Sequence, residues 1–328
     1  MGIAYNAKPN LDGLVFAIDA ANPKCYESAA VSGSTVTNIA YNPSAGFSLG
    51  NATLNNVPLG YYSTGSPYFE FGAGENLSGN SYVPTYIQSN VMESFGASSY
   101  WKFLRDGSSY TIETWIDVSR VDYYTYDDSY SYTSAGSAIF DSALYLSSGT
   151  GGPGFHYGFE NVYHAGNQRW ELRLIAFIDD DSNDDDNRLY FRSNLLHYRY
   201  NNGSTAISGS QLDDAYFMNK MAQFVYTFEP DDNGEYWTGK HYINAELKGT
   251  STVGPNPTFT TATNSTSSHK PQIGRALTYR KNQSQPNTEY DAKRLRGNLA
   301  QFRVYKDVAL TQDQIEENFQ VFRGRYGI

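Results

Sequence analysis

Residues 297–328 read GNLAQFRVYKDVALTQDQIEENFQVFRGRYGI, and this ending decides the fold. Its first part places Leu299, Phe302 and Val304 between a glycine and the polar residues 306–307. Apolar and β-branched residues bounded in this way predict a β-strand.

The second part of the ending predicts a helix. Thr311 is a suitable N-cap and Gln314 follows three residues later, so the two residues form a capping box. Leu310 and Ile315 occupy the positions of a hydrophobic staple, and Gly324 is placed to end the helix. The apolar face consists of Ile315, Phe319 and Phe322. A short helix with one apolar face needs a sheet on which to pack, and the preceding strand belongs to the obvious candidate.

Upstream segments predict further strands. In residues 110–118, Ile112, Thr114 and Ile116 alternate with Glu113, Trp115 and Asp117. This period of two is typical of a sheet strand. The turn cluster DDNG at 231–234, between apolar segments at 224–228 and 236–243, predicts a hairpin, and one other helix-like stretch lies at 211–221. Many short strands separated by turn-forming residues favour an antiparallel β-sandwich.

Both ends of the chain resemble a known family. The ending is similar to the pattern VYxxxLTxxQIxxNF followed by GRYG, and residues 14–26, LVFAIDAANPKCY, are similar to a first strand followed by a DAANPxSY turn. Weaker similarities follow in order at 68–72, 110–118, 223–244 and 271–275. The chain thereby resembles concanavalin A-like lectin/glucanase (laminin-G-like) domains, particularly those of tailed-phage virion structural proteins. The resemblance implies an all-β, antiparallel jelly-roll sandwich with long loops and a short C-terminal helix.

We expect residues 1–328 to form one elaborated sandwich domain, with residues 1–10 as an N-terminal arm. No Pro- or Ser-rich linker divides the chain, and the matched opening and ending belong to one module. The excess length is assigned to long loops at 79–107, 120–136 and 179–209.

Composition excludes several classes of partner. The net charge of -10 argues against nucleic acid and anionic membranes, which need a basic surface. Cys25 is the single cysteine, so no internal disulfide forms and a buried thiol is expected. The sequence shows no signal segment and no apolar run of about 18 residues, so we expect synthesis in a cytosol and no membrane insertion.

Tyrosine is unusually frequent, with 29 Tyr against 4 Trp. A predicted loop concentrates it at Tyr123, Tyr124, Tyr126, Tyr130 and Tyr132. Tyrosine offers a large contact area with few rotatable bonds, so these residues are candidates for a glycan contact or a subunit interface. The alternative is a strand with an exposed face.

An acidic run at 179–187 is a candidate calcium site. The ligands would be Asp179, Asp181, Asp184 and Asp186. An EF-hand starting at Asp179 requires Gly at position 184 and Glu at position 190, whereas the chain has Asp184 and Tyr190. An irregular calcium loop and a solvated turn therefore remain the two interpretations.

The sequence offers no clear catalytic set. Glu113 and Asp117 share a strand face but lie about 13 Å apart, which exceeds either glycosidase geometry. The five histidines form no ligand-spaced pair, and no Gly-x-Ser-x-Gly elbow is present. We therefore expect a protein that is not an enzyme.

The resemblance implies a non-enzymatic structural protein of a tailed phage, located in the virion. Its partners would be other capsid or tail proteins, with decoration of the capsid surface preferred, and a homo-oligomer fits this role. A second hypothesis is a carbohydrate-binding tail adhesin that recognises host surface glycans. A third is a glycoside hydrolase.

Overall fold

A computed structural model gives the fold. It describes residues 9–26, 34–40, 49–62, 65–72, 85–91, 93–94, 100–121, 134–142, 154–164, 169–179, 189–200, 216–255, 257, 259, 268–275 and 295–328.

Strands dominate the described part of the chain. In chain order they are β1 (Leu14–Asp19), β2 (Thr35–Val36), β3 (Ala52–Asn55), β4 (Leu59–Tyr61), β5 (Pro67–Phe71), β6 (Tyr86–Ser89), β7 (Glu93–Ser94), β8 (Tyr110–Arg120), β9 (Ser134–Asp141), β10 (Gly154–His164), β11 (Arg169–Asp179), β12 (Leu189–Arg192), β13 (His197–Tyr200), β14 (Met221–Pro230), β15 (Trp237–Ile243), β16 (Glu246–Val253), β17 (Ser268–His269), β18 (Gln272–Ile273) and β19 (Arg296–Lys306). A 3-10 turn covers Lys102–Leu104, and one helix, α1 (Gln312–Tyr326), follows the last strand.

The strands form two large antiparallel sheets. Sheet A has the order β16-β15-β14-β8-β19-β5-β4, with β1 also paired to β19, and sheet B has the order β12-β11-β10-β9-β18-β6-β3-β2, with β13 paired to β11. A separate small pair joins β17 to β7. The predicted fold class, an all-β antiparallel sandwich with a short C-terminal helix, is confirmed.

The core lies between the two sheets and is rich in aromatic rings. Phe302 of sheet A stacks on Phe140 of sheet B, with ring centroids 5.4 Å apart. Trp101 packs against Phe140 and against Phe16 of β1, at centroid distances of 5.4 and 5.8 Å. The period-two pattern explains which residues enter this core, because alternate side chains of a strand point to the same face.

β8 shows the predicted alternation directly. Ile112 and Ile116 are buried in the core between the sheets, so the side chains of Glu113 and Asp117 project from the opposite face of sheet A. The predicted hairpin at the DDNG turn is also confirmed, since β14 and β15 pair from Phe224↔Ile243 to Pro230↔Trp237.

α1 lies on that opposite, outer face of sheet A. The predicted capping box is present: Thr311 accepts from the Gln314 amide, and the Gln314 side chain accepts from the Thr311 amide. Leu310 and Ile315 pack in one apolar cluster, as the staple predicts. The expected stop at Gly324 is wrong, because the helix continues to Tyr326 and ends at Gly327, whose φ of 73° is left-handed.

The predicted loops and the second helix need correction. The segment 79–107 contains β6 and β7, and the segment 179–209 contains β12 and β13. Within the helix-like stretch at 211–221, the described residues form a turn at 216–219 and then begin β14 at Met221. Most of the segment 120–136 lies outside the described residues.

The chain opening packs beside the chain ending. β1 pairs with β19 from Leu14↔Tyr305 to Asp19↔Gln301. Cys25 is buried as predicted, and its burial raises the pKa of the thiol to about 12.

In the part of the chain that the structure describes, no helix is both long enough and apolar enough to cross a bilayer.

Candidate functional site

The site residues predicted from sequence lie mainly outside the described part of the chain. This holds for Tyr123, Tyr124, Tyr126, Tyr130 and Tyr132, and for Asp181, Asp184 and Asp186. Asp179 is the last residue of β11, but its side chain is not described. The tyrosine loop and the calcium site therefore stay predictions. Among the described residues, no group of three or more His, Cys, Asp or Glu side chains is arranged to hold a metal ion.

Glu113 is a buried structural carboxylate under α1. Its five neighbouring donors are Trp115 Nε1 at 3.3 Å, Gln223 Nε2 at 2.9 Å, Tyr305 Oη at 3.1 Å, Asn318 Nδ2 at 2.8 Å and Arg303 Nη1 at 3.5 Å. The residue is fully shielded from solvent. These contacts join β8, β14 and β19 to the helix, so Glu113 holds the helix in place and is not positioned to meet a ligand.

Asp117 lies on the same face as Glu113 but beyond the end of the helix. α1 ends over the row of Trp115, where the ring of Tyr326 lies 5.0 Å from the indole. The next row of sheet A places Asp117 of β8 opposite Asn298 of β19, and Asn298 opposite Glu70 of β5. All three residues of this row are partly exposed.

Two tyrosines complete the arrangement. Tyr68 precedes Glu70 by two residues on β5, so it projects from the same face. Its ring centroid lies 4.5 Å from that of Tyr62, and the Tyr62 hydroxyl donates to Asp117 Oδ2 at 3.4 Å. We call Tyr62, Tyr68, Glu70, Asp117 and Asn298 the tyrosine–carboxylate patch.

Gly60 on the edge strand β4 makes room for this arrangement. A Cβ atom at Gly60 would lie 2.3 Å from Cε2 of Tyr68. The Tyr68 ring therefore lies against the β4 backbone, in a position that the side chain of any larger residue at 60 would occupy.

The electrostatics of the patch reflect partial burial and two negative charges. Burial raises the pKa of Asp117, and hydrogen bonds from Tyr62 and Asn298 offset part of this rise. The pKa of Tyr68 is also raised, first by desolvation and then by the charges of Glu70 and Asp117. Both carboxylates thus act on the same phenol, which lies close to each of them.

The outer face of sheet B carries charged groups that are already paired. Asp141 and His156 are fully buried and lie 3.3 Å apart. Glu160 accepts two hydrogen bonds from the Arg192 guanidinium, at 2.7 and 3.1 Å. These pairs compensate each other, so the patch on sheet A is the better candidate for a ligand site.

Sequence reasoning missed most of the patch. It treated Asp117 only as a partner of Glu113, and it used the segment 68–72 only as evidence for a strand. The one available signal was the alternation in PYFEF, which places Tyr68 and Glu70 on the face opposite the buried Phe69 and Phe71. No local pattern brings Asn298 between Glu70 and Asp117, because their pairing spans the length of the chain.

Comparison with known proteins gives low similarity throughout. No protein-family model matches the chain, and no curated protein matches it significantly. The chain is similar to the Trypanosoma rangeli sialidase in complex with the inhibitor DANA, with 13% identity and a TM-score of 0.43 over 98% of this chain and 34% of that chain. It is also similar to a leech intramolecular trans-sialidase, with 12% identity and a TM-score of 0.32 over 69% of this chain and 25% of that chain. A third similar structure is the endo-1,3-β-glucanase from Streptomyces sioyaensis, with 12% identity and a TM-score of 0.33 over 92% of this chain and 98% of that chain. This chain spans about a third of the length of the first sialidase chain. At these identities and TM-scores, the likeness carries no activity over to this chain.

These findings correct two expectations from the sequence. The expected non-enzymatic virion structural protein is contradicted, because the similar structures are sialidases and a glucanase, which are glycoside hydrolases. The expectation that the chain is not an enzyme is contradicted by the same comparison, in which the similar structures are enzymes. The lectin- or glycosidase-like β-sandwich is the part of the resemblance that is supported, and no link to phage is shown.

Proposed function

We propose that this chain is a carbohydrate-binding β-sandwich domain and that the tyrosine–carboxylate patch is its glycan-binding surface. The observation that carries this proposal is the pair of tyrosine rings, 4.5 Å apart, beside two partly exposed carboxylates of sheet A.

The chemistry of the patch suits a sugar. A pyranose ring presents apolar C–H groups on its faces and hydroxyl groups at its rim. Tyrosine offers a flat apolar ring with a polar tip, which matches this combination. The carboxylates of Glu70 and Asp117 accept hydrogen bonds from hydroxyl groups, and the Asn298 amide both donates and accepts them.

The patch is also built on rigid elements. Glu70, Asp117 and Asn298 lie on three adjacent strands of sheet A. Tyr68 is held between Gly60 and Tyr62. Side chains that are already ordered lose less conformational entropy when a ligand binds.

The test is affinity electrophoresis in gels that contain soluble neutral, amino or acidic polysaccharides. We expect at least one glycan to retard the protein, and we expect Tyr68→Ala to weaken that binding about fivefold, the equivalent of about 1 kcal/mol of lost aromatic contact. Assaying the same mixtures for new reducing ends shows whether binding leads to cleavage of glycosidic bonds.

The matched control is Tyr216→Ala. Tyr216 is half exposed and contacts Lys248 of β16, which lies at the opposite end of sheet A from β4 and β5. The control variant should bind like the wild type. Equal binding by the Tyr68 variant, or no retardation by any glycan, contradicts the proposal.

A further inference from the structure

The two carboxylates of the patch differ from the other acidic side chains in the sheets. Six strand carboxylates each have a cationic partner, and Asp141 is paired with the His156 imidazole; the six are Asp19 with Arg325, Glu113 with Arg303, Glu160 with Arg192, Glu171 with Arg173, Glu229 with Lys240 and Glu246 with Lys248. Among the strand residues whose side chains are described, Glu70 and Asp117 have no such ion pair. The patch therefore carries negative charge that the described part of the fold does not neutralise.

The free charge belongs to atoms that are partly withdrawn from water. Oδ1 of Asp117 is shielded from solvent and accepts no hydrogen bond from the described residues. A desolvated carboxylate oxygen without a donor makes the charged form of Asp117 costly, and a positive charge bound beside the carboxylate lowers that cost through its field.

Two carboxylates alone are a sparse ligand set for a metal ion, and the described residues hold no group of three or more His, Cys, Asp or Glu side chains arranged for one. Glu70 and Asp117 are separated by β19, so their Cα atoms lie about two strand spacings, roughly 10 Å, apart. A calcium ion takes six to eight oxygen ligands. An extended ligand with several positive groups can meet both carboxylates at this spacing.

The aromatic ring of Tyr68, which shares β5 with Glu70, adds a second preference. The fields of both carboxylates reach the Tyr68 phenol. A cation near this ring would gain from both carboxylates and from the negative face of the π system.

We propose that the glycan bound by the patch carries free ammonium groups, as the de-N-acetylated amino sugars do. This inference rests on the proposed function and specifies its ligand class. Acidic glycans are disfavoured at the patch, because Glu70 and Asp117 would repel them. The net charge of -10 acts in the same direction at longer range.

The experiment compares three hexasaccharides by isothermal titration calorimetry with the full chain. They are a glucosamine hexamer, an N-acetylglucosamine hexamer of the same length, and a uronic acid hexamer. At low salt and at a pH that protonates the sugar amines, we expect the glucosamine hexamer to bind about tenfold more tightly than the acetylated one, the equivalent of about 1.4 kcal/mol, because both carboxylates attract ammonium groups. The uronic acid hexamer should bind weakest.

Charge-neutralising variants identify the source of the preference. Glu70→Gln and Asp117→Asn should each reduce the preference for glucosamine several-fold, and the double variant should abolish it. Glu317→Gln removes the same charge from an exposed position on α1 and should leave the preference unchanged. A lysine hexapeptide should bind much more weakly than the glucosamine hexamer, because it lacks the sugar ring for Tyr68.

The outcomes separate this inference from the proposed function. Equal affinity of the wild type for both amino-sugar hexamers, or tightest binding of the uronic acid hexamer, overturns the inference and leaves glycan binding intact. Equal binding of the lysine hexapeptide also overturns it, because the patch would then recognise charge without a sugar. If neither these hexamers nor any polysaccharide binds, the proposed function itself fails.

Discussion

Glu113 is the residue on which the outer face of sheet A is organised. A buried carboxylate is tolerated only when donors satisfy it, and here five donors from three strands and one helix surround it. Arg303 is itself buried, and Glu113 is its nearest negative charge. Removing the charge of Glu113 would therefore take from Arg303 its strongest electrostatic partner under α1.

We expect Glu113→Gln to destabilise the protein by about 3 kcal/mol, the usual effect of breaking a buried ion pair on one side. The amide nitrogen would also replace an acceptor oxygen among groups that donate to Glu113, so some of these hydrogen bonds would be lost. Urea denaturation followed by tryptophan fluorescence measures the change, with Glu317→Gln as the exposed control. A loss within about 0.5 kcal/mol, the range of ordinary surface substitutions, would falsify the structural role of Glu113.

The contrast between Glu113 and Asp117 shows what the sequence could reveal about single residues. Their spacing on β8 predicts a shared face, and they do share one. The pattern does not show that α1 covers Glu113, nor that Asn298 and Glu70 lie beside Asp117. Those neighbours depend on the register of β19, which shifts between Arg296/Gly297 and between Leu299/Gln301. Gly297, with a φ of 142°, marks the first of these shifts in the sequence, but one glycine does not specify the register that follows it.

α1 is the element that the sequence predicted best, because its start is determined locally. The N-cap, the capping box and the staple all lie within residues 310–315 and act on one another directly. Its end was predicted less well. Gly324 lies within α1, and the residue that ends the helix in a left-handed conformation is Gly327. Either glycine satisfies the local preference, so tertiary contacts decide between them.

The capping box gives a prediction for this helix. Thr311→Ala removes the side chain that accepts from the Gln314 amide, and we expect a loss of about 1 kcal/mol in the free energy of unfolding. Thr311→Ser keeps the hydroxyl and should stay close to the wild type. Equal stability of the alanine and serine variants in urea titrations would show that the cap contributes nothing.

The strands that sequence reasoning assigned to loops are short and depend on distant partners. β12 has four residues, and its backbone is also held by β16, where the Arg192 amide donates to Ser251 Oγ at 3.0 Å. β6 pairs with β3 and with β18. Strand pairing of this kind draws on packing from the whole sandwich, so four-residue segments carry too little local pattern to be recognised.

The two sheets are joined by apolar packing and by a polar contact through the core. His241 of β15 is fully buried and packs against Tyr226, with ring centroids 4.9 Å apart. Its Nε2 lies 3.1 Å from the backbone oxygen of Phe191 in β12, on the opposite sheet. One aromatic core shared by both sheets is compatible with the single domain expected from the sequence, which stays a prediction.

His241 also makes the stability of the whole molecule depend on pH. Burial lowers the pKa of His241 to about 4 from the usual 6.5. In the unfolded chain the imidazole takes up a proton as the pH falls through about 6.5, whereas the folded protein resists protonation until about pH 4. Acid therefore favours the unfolded state across this window, and the loss is complete only below the folded pKa.

We expect this residue to cost about 3 kcal/mol of stability between pH 6.5 and pH 4, from a pKa difference of about 2.5 units. The measurement is the free energy of unfolding in urea at several pH values, for the wild type and for His241→Gln. The variant is expected to be less stable at neutral pH, because it loses ring packing, but its curve should be flatter in this window by about the same 3 kcal/mol. Parallel curves would show that His241 does not titrate on unfolding and that the acid sensitivity arises elsewhere. A matching difference in slope would locate it at the contact that joins the two sheets.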